Sequence, residues 1–175
     1  MRTSAILLLV IMGALLSPAG HAADTGLRAG TAIVDVTPRE WPLTLRGSFF
    51  PKPAKTAHDP LHVRTIAFEN GKGRAVIVIV DVIGISRETL DPVKKRAAEA
   101  TGWRTDQMLI AATHTHSAPS SGEGGPAPQV AFGKRLADGM VEAIEKAVAS
   151  LQPAKVGFGS GQVPDEVFNR RWYLQ

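Results

Sequence analysis

The sequence predicts an α/β fold with a mixed, largely parallel sheet and crossover helices. Three observations predict it. From residue 74 onward, strand and helix patterns follow in the order strand, helix, strand, helix, strand, which calls for parallel neighbours joined by right-handed crossovers. Val76-Ile77-Val78-Ile79-Val80 is apolar without interruption, the pattern of a central strand buried on both faces. Leu136, Met140, Ile144, Ala147, Val148 and Leu151 recur at three- and four-residue intervals, which places one apolar stripe along a helix.

Taken in order, the chain starts with a segment foreign to that fold. Met1-Arg2 is positive, residues 5–16 are a 12-residue apolar run, and Ser17 to Ala23 ends in small residues. This is the pattern of a secretory signal peptide cut after Ala22 or Ala23, and the run is short of the roughly 18 residues that span a bilayer. Residues 1–23 are therefore expected to be a signal peptide and residues 24–175 one domain, secreted or periplasmic. Residues 30–36 read as a strand closed by Thr37-Pro38, since proline cannot continue a ladder. Residues 39–60 hold Pro42, Pro51, Pro53 and Pro60 and read as a long irregular loop of the kind that often carries function. Residues 62–68 and 74–82 read as paired strands around a glycine-containing hairpin turn.

A helix follows, capped by Ser86 or by Asp91 ahead of Pro92, and closed by Gly102. Residues 107–112 read as the next strand, residues 117–128 as a Ser, Gly and Pro-rich loop, residues 130–151 as the longest helix, and residues 155–163 as a last strand. The formal charge of +4 loses one unit with Arg2, and no basic stripe is interleaved with aromatics, so nucleic-acid binding has no support. Cysteine is absent, so an exported domain of this kind depends on its core or on a metal.

The chemistry concentrates at Thr113-His114-Thr115-His116-Ser117. Two of the five histidines stand one residue apart, directly after the apolar run of residues 108–112. On an extended backbone, residues i and i+2 project to the same face, so the pair points at one place just past a strand tip. In sheets of this type, sites lie beyond the carboxyl ends of strands. Neutral imidazole is a common zinc ligand, and a catalytic zinc usually takes three protein ligands and keeps one position open. Two loop histidines bonded to backbone carbonyls remain the alternative.

Four segments carry a family resemblance: Gly30-Thr31-Ala32-Ile33-Val34-Asp35-Val36-Thr37-Pro38, His58-Asp59-Pro60-Leu61, Ala112-Thr113-His114-Thr115-His116-Ser117-Ala118-Pro119 and Asn169-Arg170-Arg171. Together they resemble the N-terminal, catalytic part of the neutral/alkaline non-lysosomal ceramidases, over residues 27 to the end. The resemblance implies a zinc-dependent amidase that cleaves the N-acyl bond of ceramide to sphingosine and a fatty acid. It implies that His114 binds zinc, that His116 lies beside the scissile amide, and that Arg170 is an active-site residue. His116 and Arg170 would stabilise the developing oxyanion or orient the substrate.

In the family a second histidine, a glutamate and a tyrosine from later sequence complete the zinc site. No residue here takes those roles, Tyr173 included, so the chain reads as the first part of a larger catalytic domain. On its own it is expected to bind zinc weakly and to catalyse poorly. A zinc hydrolase of another amide or ester, and a non-catalytic exported binding or remnant domain, are the rival readings.

Other residues are expected to be quieter. His58 and His62 read as solvated loop and strand-edge histidines. Asp35 reads as an Asx-type turn partner. Ser117 lacks the spacing of a nucleophile elbow. Trp41, Phe49 and Phe50 are compatible with a peripheral membrane-surface contact or with packing into the core.

Overall fold

The computed structural model describes residues 26–47, 49–71, 73–119 and 124–166; the leader read over residues 1–23 lies outside them. Along the chain run β1 (Leu27–Asp35), β2 (Leu43–Leu45), β3 (Lys52–Ala54), β4 (His62–Asn70), β5 (Gly73–Val80), α1 (Arg87–Thr101), β6 (Met108–Ala112), α2 (Ala127–Ala149) and β7 (Gln152–Pro153). Five strands form one sheet in the order β6-β5-β4-β1-β7, and β2 pairs with β3 apart from it. The proline-rich segment thus contains a short hairpin rather than loop throughout.

The α/β class, the mixed sheet and the crossover through α1 are as expected; the share of parallel pairing is smaller. Only β5 and β6 run parallel among the described strands, while β1–β4, β4–β5 and β1–β7 are antiparallel. The reason lies after α2. The strand expected over residues 155–163 does not form there, because Gly157, Gly159 and Gly161 have no side chains to pack on a pleated surface. The two-residue β7 turns back along β1 instead.

Ser86 is the N-cap of α1, its carbonyl accepting from the Thr89 and Leu90 N–H groups. Pro92 therefore falls inside the helix rather than at its start. Gly102 ends it in a left-handed conformation, its N–H bonding the Ala98 carbonyl at 2.9 Å.

The strand registers place Val34, Val63 and Val80 side by side on one face, with Ala67 beside Val76 and Thr65 beside Val78. All are buried, together with Phe132, Leu136, Met140 and Ile144 of α2 and Val93 and Ala97 of α1. Each such large apolar side chain contributes about 1.5–3 kcal/mol by leaving water. Two glycines let α2 lie close to the sheet. A Cβ on Gly30 would come 2.8 Å from the Leu151 backbone N, and one on Gly139 would overlap the Val36 side chain.

The opposite face carries Ile33, Ile66, Ile77, Ile79 and Leu109. Ile33 is 65% and Leu109 60% exposed. β5 is thus buried on one face by the described residues, not on both, because α1 and α2 share the face of Val76, Val78 and Val80.

Candidate functional site

Strand β6 ends at Ala112, and the Thr113 N–H still bonds the Val80 carbonyl at 2.9 Å. His114 then adopts φ +61°, a left-handed conformation uncommon for a residue with a side chain. The two imidazoles therefore do not project from a flat strand, as the spacing alone suggests. They converge around a turn, with ring centroids 5.1 Å apart and planes at 71°. Both residues are exposed.

Each ring is fastened at one nitrogen to a distant carbonyl. His114 Nδ1 lies 2.7 Å from the Ile83 oxygen, in the segment that leaves β5. His116 Nδ1 lies 3.0 Å from the Gly47 oxygen, just past β2. A carbonyl oxygen only accepts, so both Nδ1 atoms donate, which leaves each Nε2 as the ring's acceptor. A histidine ligand held by a backbone carbonyl at its other nitrogen is the usual support of a metal site. His114 therefore fits zinc in donor type and in presentation. Among the described residues, however, no group of three or more His, Cys, Asp or Glu side chains converges on one point.

The loop that brings Gly47 there is tied down twice, by the Arg46 N–H to the Ala118 carbonyl at 3.2 Å and by a bridge between Leu45 and Pro119. Its root is fixed by Arg135 of α2, which donates to the carbonyls of Thr37 and Asp35 at 2.9 and 2.8 Å. Asp35 forms the expected Asx turn, accepting the Thr37 N–H at 2.7 Å. Hydrogen bonds from the Thr37 hydroxyl and backbone N–H hold its carboxyl below the ordinary range.

At the end of β5, Asp81 accepts from Arg64 at 2.7 Å and from the His62 N–H at 3.0 Å, while Arg64 also donates to His62 Nδ1. His58 is exposed beside Asp59. A 550 Å³ cavity lies between Trp41, Leu45, Leu61, His58, Asp81 and Pro119; Thr115 and Ser117 reach its wall, but neither imidazole does. Ser117 donates its N–H to the Thr115 hydroxyl. Trp41 packs against the core, while Phe49 and Phe50 are 103% and 79% exposed.

Arg170 and its neighbour Asn169 lie outside the described residues. Ile83 and Gly47 were not singled out by sequence reasoning. They act through backbone carbonyls, which leave no residue-type signature. Asp81 did have a signal, as a carboxylate directly after the apolar run of β5.

A family model of the N-terminal part of neutral/alkaline non-lysosomal ceramidases matches residues 28–173. Among curated proteins, neutral ceramidase A of Dictyostelium discoideum is 29% identical over 166 residues, covering 86% of this chain and 23% of that protein. The neutral ceramidase of Pseudomonas aeruginosa is 28% identical over 95% of this chain and 27% of its own. Among solved structures, a ceramidase complexed with C2 superposes with a TM-score of 0.62 at 27% identity, over 74% of this chain and 22% of that one. Neutral ceramidase from Pseudomonas aeruginosa gives 0.61 at 26% identity, with the same coverage. The chain spans about a quarter of the length of the curated relatives it matches.

Proposed function

The chain belongs to the neutral/alkaline non-lysosomal ceramidase family, and we propose that it supplies His114 and His116 to a zinc-dependent site hydrolysing the N-acyl bond of ceramide. In that reaction the amide C–N bond breaks, the oxygen of water joins the acyl carbon, and sphingosine and a fatty acid leave. The observation that supports this reading most is the convergence of two imidazoles 5.1 Å apart just past the carboxyl end of β6, since the carbonyl bonds at Nδ1 suit plain loop histidines as well as ligands.

In this reading His114 Nε2 is the zinc ligand. Zinc there supplies Lewis acidity and a water-derived nucleophile usable near neutral pH. His116 contacts the substrate beside the scissile amide, and Arg170 balances negative charge that develops on the acyl oxygen. Since one or two protein ligands fall short of the usual three, we take the described residues as part of the zinc site and expect weak binding from them alone. Phe49 and Phe50, exposed on the loop that carries Gly47, suit a peripheral contact with a lipid surface. Export to the periplasm or medium is the reading of the leader pattern in residues 1–23. No helix among the described residues is long and apolar enough to cross a membrane.

The test is release of fatty acid from a short-chain ceramide by the purified protein, with zinc, with a chelator, and with His114→Ala. The expected result is slow, zinc-dependent release that both the chelator and the substitution abolish. Release that survives either one refutes the zinc reading. Cleavage of other N-acyl amides or esters with ceramide untouched refutes the substrate. No release from any of these favours a non-catalytic domain.

A further inference from the structure

We propose that Gly47 is a positioning residue for His116, whose main-chain carbonyl locks the imidazole as its Nδ1–H tautomer and leaves Nε2 as a hydrogen-bond acceptor. Three observations carry this. The first is the 3.0 Å contact between His116 Nδ1 and the Gly47 oxygen, in which only the nitrogen can donate. The second is steric. Gly47 has φ +91°, and a Cβ placed there would penetrate the imidazole and lie 2.6 Å from the His116 Cβ. The third is that the loop has no freedom to back away. The Arg46 N–H is bonded to the Ala118 carbonyl and Leu45 bridges Pro119, so the residues just after His116 are stitched to the strand that delivers Gly47.

The consequence concerns the direction of hydrogen bonding. While neutral, His116 cannot donate from Nε2, so it does not stabilise an oxyanion. It receives a hydrogen from a substrate O–H or N–H, or from the attacking water, and oxyanion stabilisation falls to other groups. That role in hydrolysis rests on the ceramidase reading; the tautomer does not, and it is measurable in metal-free protein without substrate.

The experiment is two-bond nitrogen–proton correlation NMR of the histidine rings in the 175-residue protein at about pH 8.5, where ordinary imidazoles are neutral. His116→Gln assigns the resonances. One net hydrogen bond of ordinary strength shifts the tautomer ratio about fivefold toward Nδ1–H relative to a free histidine side chain, which favours Nε2–H, and that shift is the result expected at His116. In Gly47→Ala the ratio at His116 falls to that of a free histidine side chain, while His114, held by Ile83, keeps its own. A wild-type His116 protonated mainly on Nε2, with the ratio of a free histidine side chain, overturns the proposal. So does a folded Gly47→Ala protein in which the ratio has not moved. Should Gly47→Ala fail to fold, the wild-type ratio alone decides. Failure of ceramide hydrolysis leaves these readings untouched, so the two ideas fall separately.

Discussion

The two faces of the central sheet are built from similar side chains but have different surroundings. On one, Val63, Val76, Val78 and Val80 lie under Phe132, Leu136, Met140 and Ile144 and are fully buried. On the other, Ile33 and Leu109 remain mostly exposed and Ile77 and Ile79 are half-buried. What a strand's composition encodes is the burial it is suited to, and only the neighbouring layer decides whether burial happens. Exposed apolar surface ordinarily marks a contact; here Ile66, Ile77 and Leu109 lie side by side across three strands, while Arg64 separates Ile33 from Ile79.

The largest expected difference between the faces comes from cavity creation. Leu136→Ala, on the buried side of α2, is expected to lower unfolding free energy by about 2–5 kcal/mol. Leu109→Ala on the open face should cost less than about 1 kcal/mol, because water already reaches it. Urea denaturation of both variants makes the comparison, and equal losses would show that the open face is covered after all.

Overpacking gives a smaller contrast. Gly30→Ala forces a methyl into the α2 C-terminal turn and is expected to cost about 1–3 kcal/mol. Thr31→Ala, the next residue and on the other face, should stay within about 0.5 kcal/mol. Thermal melts of the pair sharpen the picture of how closely α2 sits on β1.

The smallest effect tests whether charge helps to hold the helical layer together. Asp138 bonds Lys134 and Arg96, linking α2 to α1. The Lys134 hydrogen bond, then the Arg96 hydrogen bond, hold its carboxyl below the ordinary value of 3.8 despite some burial. A carboxyl lowered in the folded state adds stability that is present above its unfolded value and lost as pH falls through the folded one. Stability should therefore drop below about pH 4. Asp138→Asn should flatten that drop by less than about 1 kcal/mol, since the group is half-exposed. A steeper acid limb in the variant would reverse the sign.

Much of this was legible in residue spacing. The stripe from Leu136 to Ala147 predicts which side of α2 is buried, and Val76 to Val80 predicts an interior strand. Residues 155–163 misled because apolar Val156, Phe158 and Val163 suggest a strand that the intervening glycines do not sustain. At the site, the spacing of His114 and His116 was informative, but the means of their convergence was not. A left-handed histidine and two carbonyl anchors, 31 and 69 residues away in sequence, are backbone properties that no residue type announces. The covered face explains the scaffold, and the turn beyond β6 is where we propose that the chemistry lies.

Calorimetric zinc titration of the wild type, His114→Ala and His116→Ala tests that division most directly. The account predicts weak binding by the wild type, with Kd above about 1 μM, lost in His114→Ala and kept in His116→Ala. Tight one-to-one binding, or binding that survives His114→Ala, would contradict it.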